Sequence, residues 1–362
     1  MTTSSNASPF PAAGRIALWL WLVCTLILLM VAVGGITRLT ESGLSMVNWN
    51  PIMGTLPPSS PEAWRDAFDQ YKATPQYEKF SAEGEMTLAH FKEIFFWEYV
   101  HRLLGRVIGI AYAVPLAVFW VRGRIPKGWR WKLLLGLVLG GSQGLLGWYM
   151  VKSGLIDKPY VSHFRLAAHF GLALVVLMYL LWLILDLLPF RTHRHTNYLS
   201  VRPLRRWTVG FLILLAVQIV YGAFTAGLRA GYMYNTYPLM GGGVLPPEFV
   251  SSRFGSVVEN LLHNPVAVQF AHRHLGLVVV VAAFALWALA LRNRLMPRQK
   301  VFYNLIPLMV TIQFLLGIFT LISGMNLPLA VAHQVSACLL SAVAVAALHE
   351  VMEPKTVTSR RS

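Results

Sequence analysis

Along the 362 residues, apolar runs of about 20 residues alternate with polar segments, near 16–36, 94–121, 133–151, 165–188, 207–226, 265–291, 302–322 and 328–348. A helix rises 1.5 Å per residue, so each run crosses about 30 Å of hydrocarbon and the pattern predicts eight transmembrane helices. Between the first two runs the polar segment is long. Within it Ser60-Pro61-Glu62 is a helix-start signature, and Trp64, Phe68 and Tyr71 recur at helical spacing, which predicts an amphipathic helix over 60–75 at the outer interface. Such a helix either covers a site or only connects two spans.

The runs are duplicated. PIMGTLPP (51–58) follows the first and PLMGGGVLPP (238–247) follows the fifth, while EYVHRLLGR (98–106) on the second is answered by QFAHRHLG (269–276) on the sixth. Two matches in the same order predict an all-α integral membrane protein of two pseudosymmetric four-helix bundles. The first half is 16–190 with a long outer loop 37–93, the second is 207–348, and a linker 191–206 and tails 1–15 and 349–362 complete the chain. A weaker repeat runs through the odd spans. GGITRLTESGL, QGLLGWYMVKSGL, QIVYGAFTAGLRAG and QFLLGIFTLISG all place glycines toward the outer end. This fits either a helix-pair unit or the small residues common wherever membrane helices pack closely.

Composition agrees with the spans: 56% hydrophobic, 13% charged and a mean hydropathy of +0.55 exclude an ordinary soluble domain. The net charge of +16 raises the question of nucleic acid, but its distribution answers it. With the N-terminus cytoplasmic, the inner segments hold 18 of the 31 Lys and Arg against Asp186, Glu350 and Glu353 alone. That is a topology signal, so both termini are expected in the cytoplasm, and no nucleic-acid partner is expected. The opening MTTSSNASPFPAAGR lacks the Arg-rich character of a transit peptide, and the first run is too long for a signal sequence, so it reads as an uncleaved anchor. Cys24 and Cys338 fall inside spans and read as small buried apolar residues.

The candidate chemistry is a layer of histidines. His101, His169, His272 and His333 stand one per even span, each early in its run, and four residues later each is followed by Gly105, Ala173, Gly276 or Ala337 on the same face. One lone intramembrane histidine commonly just bonds to a neighbouring helix. Four at matched depth, two per half, suit two bis-histidine haems, with the small residues admitting a flat ring. Zinc is the rival metal, but it favours tetrahedral sets with thiolate or carboxylate. Arg102, Arg106, Arg165 and Arg273 stand at the rim, placed to hold propionates or to snorkel to lipid headgroups. Glu98 precedes His101 by three residues and Gln269 precedes His272 by three, so one half has a proton-carrying group where the other has an amide. The plainer reading pairs Glu98 with Arg102 or Arg38.

EYVHRLLGR, HFRLAAH (163–169), QFAHRHLG and AVAHQ (330–334), with GGITRLTESGLSMVNWNP near the start, resemble the haem A synthases over nearly the whole chain. The resemblance implies an oxidoreductase of the bacterial inner membrane that converts the C8 methyl of haem O to the formyl of haem A by two hydroxylations and a dehydration, for cytochrome c oxidase. It also implies that His272 and His333 ligate the iron of a resident haem b with Gly276 and Arg273 beside them. His101 and His169 would face the iron of the substrate haem with Arg102 and Gly105, and Glu98 would be catalytic. The haem sites are expected toward the periplasmic side. Expected partners are haem O, haem O synthase, cytochrome c oxidase assembly factors, an electron acceptor or donor, the bilayer, and a second copy of the chain. The outer-loop cysteine pairs of one subgroup are absent, so the chain resembles the alphaproteobacterial and mitochondrial subgroup. With two histidines on the substrate iron, either one ligand dissociates during turnover or water supplies the oxygen. Two other functions fit four intramembrane histidines: a di-haem electron carrier, and a haem transporter or assembly scaffold.

Overall fold

The computed structural model describes residues 12–47, 56–84, 86–154, 161–188 and 201–352. Residues 51–55 of PIMGTLPP, 1–11 and 353–362 of the tails and 191–200 of the linker lie outside the described residues. In chain order the helices are α1 (Ala12–Leu39), α2 (Pro61–Lys72), α3 (Pro75–Glu83), α4 (Leu88–Val121), α5 (Arg130–Gly154), α6 (His163–Leu187), α7 (Arg202–Gly227), α8 (Val257–His263), α9 (Pro265–Leu291), α10 (Pro297–Ile322) and α11 (Leu327–Val351). All but α2, α3 and α8 are long and apolar enough to cross a membrane, giving the eight expected spans. No β-strand occurs among the described residues.

Where helices begin at the loop-rich end, side chains satisfy their first N–H groups. Ser60, Thr74, Thr87, Asn264 and Asn326 accept from Ala63, Tyr77, His90, Val266 and Leu329. For α4, α9 and α11, which go on to cross the bilayer, the cap supplies a partner that lipid cannot. The helix expected near 60–75 is α2. Its Trp64, Phe68 and Tyr71 face inward as the spacing predicts, and α4 starts earlier than expected, at Leu88 rather than near 94, because they cover it. Phe91, Ile94 and Phe95 are buried under these rings, with Trp64 edge-on to Phe95 at 5.0 Å between centroids. The first turns of α4 are therefore buried by aromatic packing in a cap of protein. Tyr71, wholly buried in that cap, has its phenol pKa pushed up by burial first and by the nearby Glu98 carboxylate second.

Helices α1, α4, α5 and α6 form one bundle and α7, α9, α10 and α11 the other, joined along α1 and α6 against α7 and α11. Between apolar helices in lipid no hydrophobic force favours association, so close packing and polar bonds hold the seam. Gln334 donates to the Val31 carbonyl at 3.1 Å, and at the basic end Asp186 lies 2.9 Å from His349 and 3.4 Å from Lys132. Arg298 pairs with Glu350 at 3.0 Å, so both described acids of that end are matched to bases. At the loop-rich end the duplication meets itself. Glu41 after α1 and Arg229 after α7 occupy equivalent positions, both left-handed at φ +54° and +53°, and each is followed by one 3-10 turn, Ser42–Leu44 and Ala230–Tyr232. The two equivalents form an ion pair with each other. Their conformation costs a non-glycine residue roughly 1–2 kcal/mol, and glycine would remove the charges that join the halves. Cys24 and Cys338 are free and buried within one apolar cluster, as expected.

Candidate functional site

Each odd-numbered span of the pattern presents a glycine to the histidine of the span that follows it. A Cβ on Gly34 of α1 would lie 3.7 Å from the His101 ring of α4, and one on Gly147 of α5 would lie 3.0 Å from His169 of α6. In the second half, a Cβ on Gly222 of α7 would lie 3.1 Å from His272 of α9, and one on Gly317 of α10 would lie 2.8 Å from His333 of α11. The glycines of the weak repeat are therefore cradles in which an imidazole rests against bare backbone. The close packing expected of small residues is therefore made beside the four histidines.

Three further residues belong to this layer, and the periodicity of a single helix does not mark them. Four residues before its glycine, Gln143 lies 3.4 Å from a His169 ring nitrogen and donates to the His169 carbonyl at 3.0 Å. Gln218 lies 3.1 Å from His272 Nδ1 and donates to the His272 carbonyl at 3.0 Å. Gln313 lies 3.5 Å from His333 Nε2, and its own carbonyl lies 3.1 Å from His333 Nδ1. The recurrence Gln-x-x-x-Gly at 143–147, 218–222 and 313–317 is visible in the chain. It is noticed only once the glycines are known to face histidines. The small residues one turn beyond two of the histidines complete the pairing: a Cβ on Gly276 would lie 3.3 Å from Gln218, and one on Gly105 would lie 3.5 Å from Met30.

The rings of His272 and His333 stand 6.4 Å apart between centroids and nearly perpendicular, at 87°. An ion bound midway by one nitrogen of each ring at about 2 Å puts the ring centres about 6 Å apart, so this separation fits two axial imidazoles on one haem iron. Among the described residues His169 Nδ1 has no partner, which leaves that nitrogen available to ligate an iron. Among the described residues no group of three or more His, Cys, Asp or Glu is arranged to hold a metal, so the tetrahedral zinc set is not assembled. His101 lies within electrostatic reach of His169.

The two halves differ most one turn before the histidine. Glu98 is buried, and its Oε2 accepts from the Ser45 hydroxyl and the Met46 N–H, both at 2.7 Å, while Oε1 lies 2.6 Å from Arg102. Arg102 also donates to the Met46 carbonyl at 3.0 Å. Of the two pairings the plainer reading offered, Arg102 is the one formed. Arg38 instead donates to the Ala226 and Gly227 carbonyls, at 2.8 and 3.1 Å, and so joins the halves. In the equivalent place Gln269 donates to the Tyr234 carbonyl at 3.0 Å, and Arg273 donates to the Thr236 carbonyl at 2.8 Å and to that of Tyr234. The carboxylate accepts where the amide donates, and each loop presents the matching group.

Residues 17–345 match the family described as cytochrome oxidase assembly protein, COX15-CtaA. Haem A synthase of Caulobacter vibrioides is 42% identical over 340 residues, 94% of this chain and 96% of its own length. Haem A synthase of Nitrosospira multiformis is 41% identical over 344 residues, 94% of each chain. That of Beijerinckia indica subsp. indica is 44% identical over 339 residues, 92% of each chain. A match of this extent, over the helices that carry all four histidines and Glu98, means that the chain belongs to the COX15-CtaA family of cytochrome oxidase assembly proteins, the family of the haem A synthases.

Proposed function

We propose that the chain is a haem A synthase, an oxidoreductase of the membrane that converts the C8 methyl of haem O to a formyl group. In this reading the first half binds the substrate haem between His101 and His169, and the second holds a resident haem b between His272 and His333. The observation that carries the division of roles is Glu98 against Gln269 on otherwise duplicated helices. A resident haem b, when bound, supplies one-electron transfer. The remaining work belongs to side chains. The four histidines, seated against glycines, hold their rings in fixed planes, and Arg102 and Arg273 offer guanidinium groups to the propionates. Gly105 and Gly276 keep the adjacent turn free of side-chain bulk.

The reaction breaks two C–H bonds of one methyl carbon and ends with loss of water from a geminal diol, so protons must enter and leave the buried site. Glu98 is suited to that exchange. Its Oε2 is fixed by Ser45 and Met46, and Oε1 is the atom at which a proton is exchanged, with Arg102 steadying the charge. The α2–α3 cap keeps bulk water from this end of α4. Looser contact between α4 and α5 than between α9 and α10 favours the first half as the one that a substrate enters and leaves. From the distribution of basic residues we infer that the histidine layer lies toward the periplasmic side of the inner membrane.

The test is incubation of purified protein with haem O and a soluble redox mediator, in air and without oxygen, followed by chromatography of the extracted haems. Haem A is expected to accumulate at the expense of haem O. Haem b alone in every preparation, with no haem O retained, would make the protein a di-haem electron carrier instead. The glycine cradles supply a second expectation. Gly222→Val should drive the His272 ring from its seat and lower bound haem b several-fold by absorbance. Gly210→Val on the same helix, where nothing lies within 4 Å of an added Cβ, should leave it unchanged.

A further inference from the structure

Three of the four histidines are braced by a glutamine four residues before the glycine they rest on. The fourth is not. Counting back from Gly34, which faces His101, the position held by Gln143, Gln218 and Gln313 in the other spans is Met30. Methionine has nearly the length and volume of glutamine, so the packing is kept: the Met30 methyl meets Gly105 as the Gln218 amide meets Gly276. What is lost is the hydrogen bond, because a thioether does not donate. No hydrogen bond to the His101 ring occurs among the described residues, whereas His169 and His272 each face a glutamine amide, and His333 faces both the amide and the carbonyl of Gln313.

A ligating imidazole that donates its second ring N–H to an outer acceptor is fixed in orientation and made more basic, and removal of that acceptor typically weakens metal binding 10–100-fold. The Gln313 main-chain carbonyl is such an acceptor for His333, and a half-turn of the Gln143 or Gln218 amide brings its oxygen, which has no partner among the described residues, to the ring N–H of His169 or His272. We propose that Gln143, Gln218 and Gln313 are positioning residues for permanent iron ligands, and that Met30 leaves His101 as the one displaceable ligand, on the face of the substrate haem nearest Glu98. This rests on the reading above, in which His101 and His169 share the substrate iron. It selects ligand release at His101 as the way the substrate iron becomes accessible.

Carbon monoxide is the probe, because it binds reduced haem only where an axial position is vacated. In full-length protein reduced with dithionite and supplied with haem O, the wild type is expected to show a carbon monoxide spectrum from haem O and none from haem b. Met30→Gln should weaken carbon monoxide binding by about 10–100-fold, and Met30→Leu, which restores no donor, should bind it as the wild type does. The reciprocal Gln218→Met should make haem b reactive toward carbon monoxide, so a Met30→Gln protein that failed to fold would leave the proposal open to refutation through the second half. Equal binding by wild type and Met30→Gln, or a haem b still silent in Gln218→Met, overturns the proposal and leaves the enzyme assignment standing. Failure to retain haem O at all overturns the two-histidine substrate site, and the proposal with it.

Discussion

Glu98→Gln is expected to leave the fold and bound haem b intact and to lower haem A formation by a factor of about 100 or more, the usual scale for loss of a positioned proton-transfer group. The substitution makes the two halves alike one turn before the histidine. Glutamine preserves shape and can still accept from Ser45 and Met46 through its carbonyl oxygen, which now stand 2.7 Å from the carboxylate. It cannot exchange a proton. The structural cost is the ion pair to Arg102 at 2.6 Å, and because Arg102 also bonds the Met46 carbonyl, it keeps a partner. Chromatography of extracted haems reads the reaction, and absorbance per protein reads the fold. Unchanged haem A production would remove Glu98 from the chemistry, and a parallel loss of haem b would assign it a purely structural role.

Loss of either second-half histidine should have the opposite signature. In His272→Ala and in His333→Ala the haem b absorbance is expected to disappear, since one imidazole on a ring otherwise held by packing leaves the iron half ligated. His101→Ala and His169→Ala should retain it. The separation rests on geometry: the His272 and His333 rings face each other at 6.4 Å, while His101 and His169 belong to the other bundle, across the seam formed by α1, α6, α7 and α11. Retention of haem b in both second-half variants would refute the assignment of the resident site. Pyridine haemochrome spectra of the four proteins decide it.

Much of the architecture was legible because membrane helices obey a simple rule. Every backbone polar group must be satisfied within its own helix, so length and apolarity alone mark eight spans, and the repeat of His-Arg-x-Leu-Gly marks two halves. The Ser60-Pro61-Glu62 start of α2 was equally plain, because capping is local chemistry. The four histidines announced themselves by being costly in lipid. By itself, then, the chain determines the spans, the repeated motifs, the outer helix, one early histidine in each even span and the Glu98–Gln269 difference, all of which are written in local stretches of sequence.

Only the tertiary structure decided what these residues meet. That Glu98 takes Arg102 while Arg38 goes to the Ala226 and Gly227 carbonyls depends on the rotation of α4 and on the seam with α7, which no single-helix periodicity records. That Glu41 and Arg229 face each other depends on the turns after α1 and α7 meeting at the seam. The glutamines bracing three histidines, and Met30 standing where a fourth would be, emerge only when odd and even spans are laid side by side. A glycine–histidine contact is made between helices, and its specificity lies in the space that glycine leaves, which the sequence records only as a missing side chain.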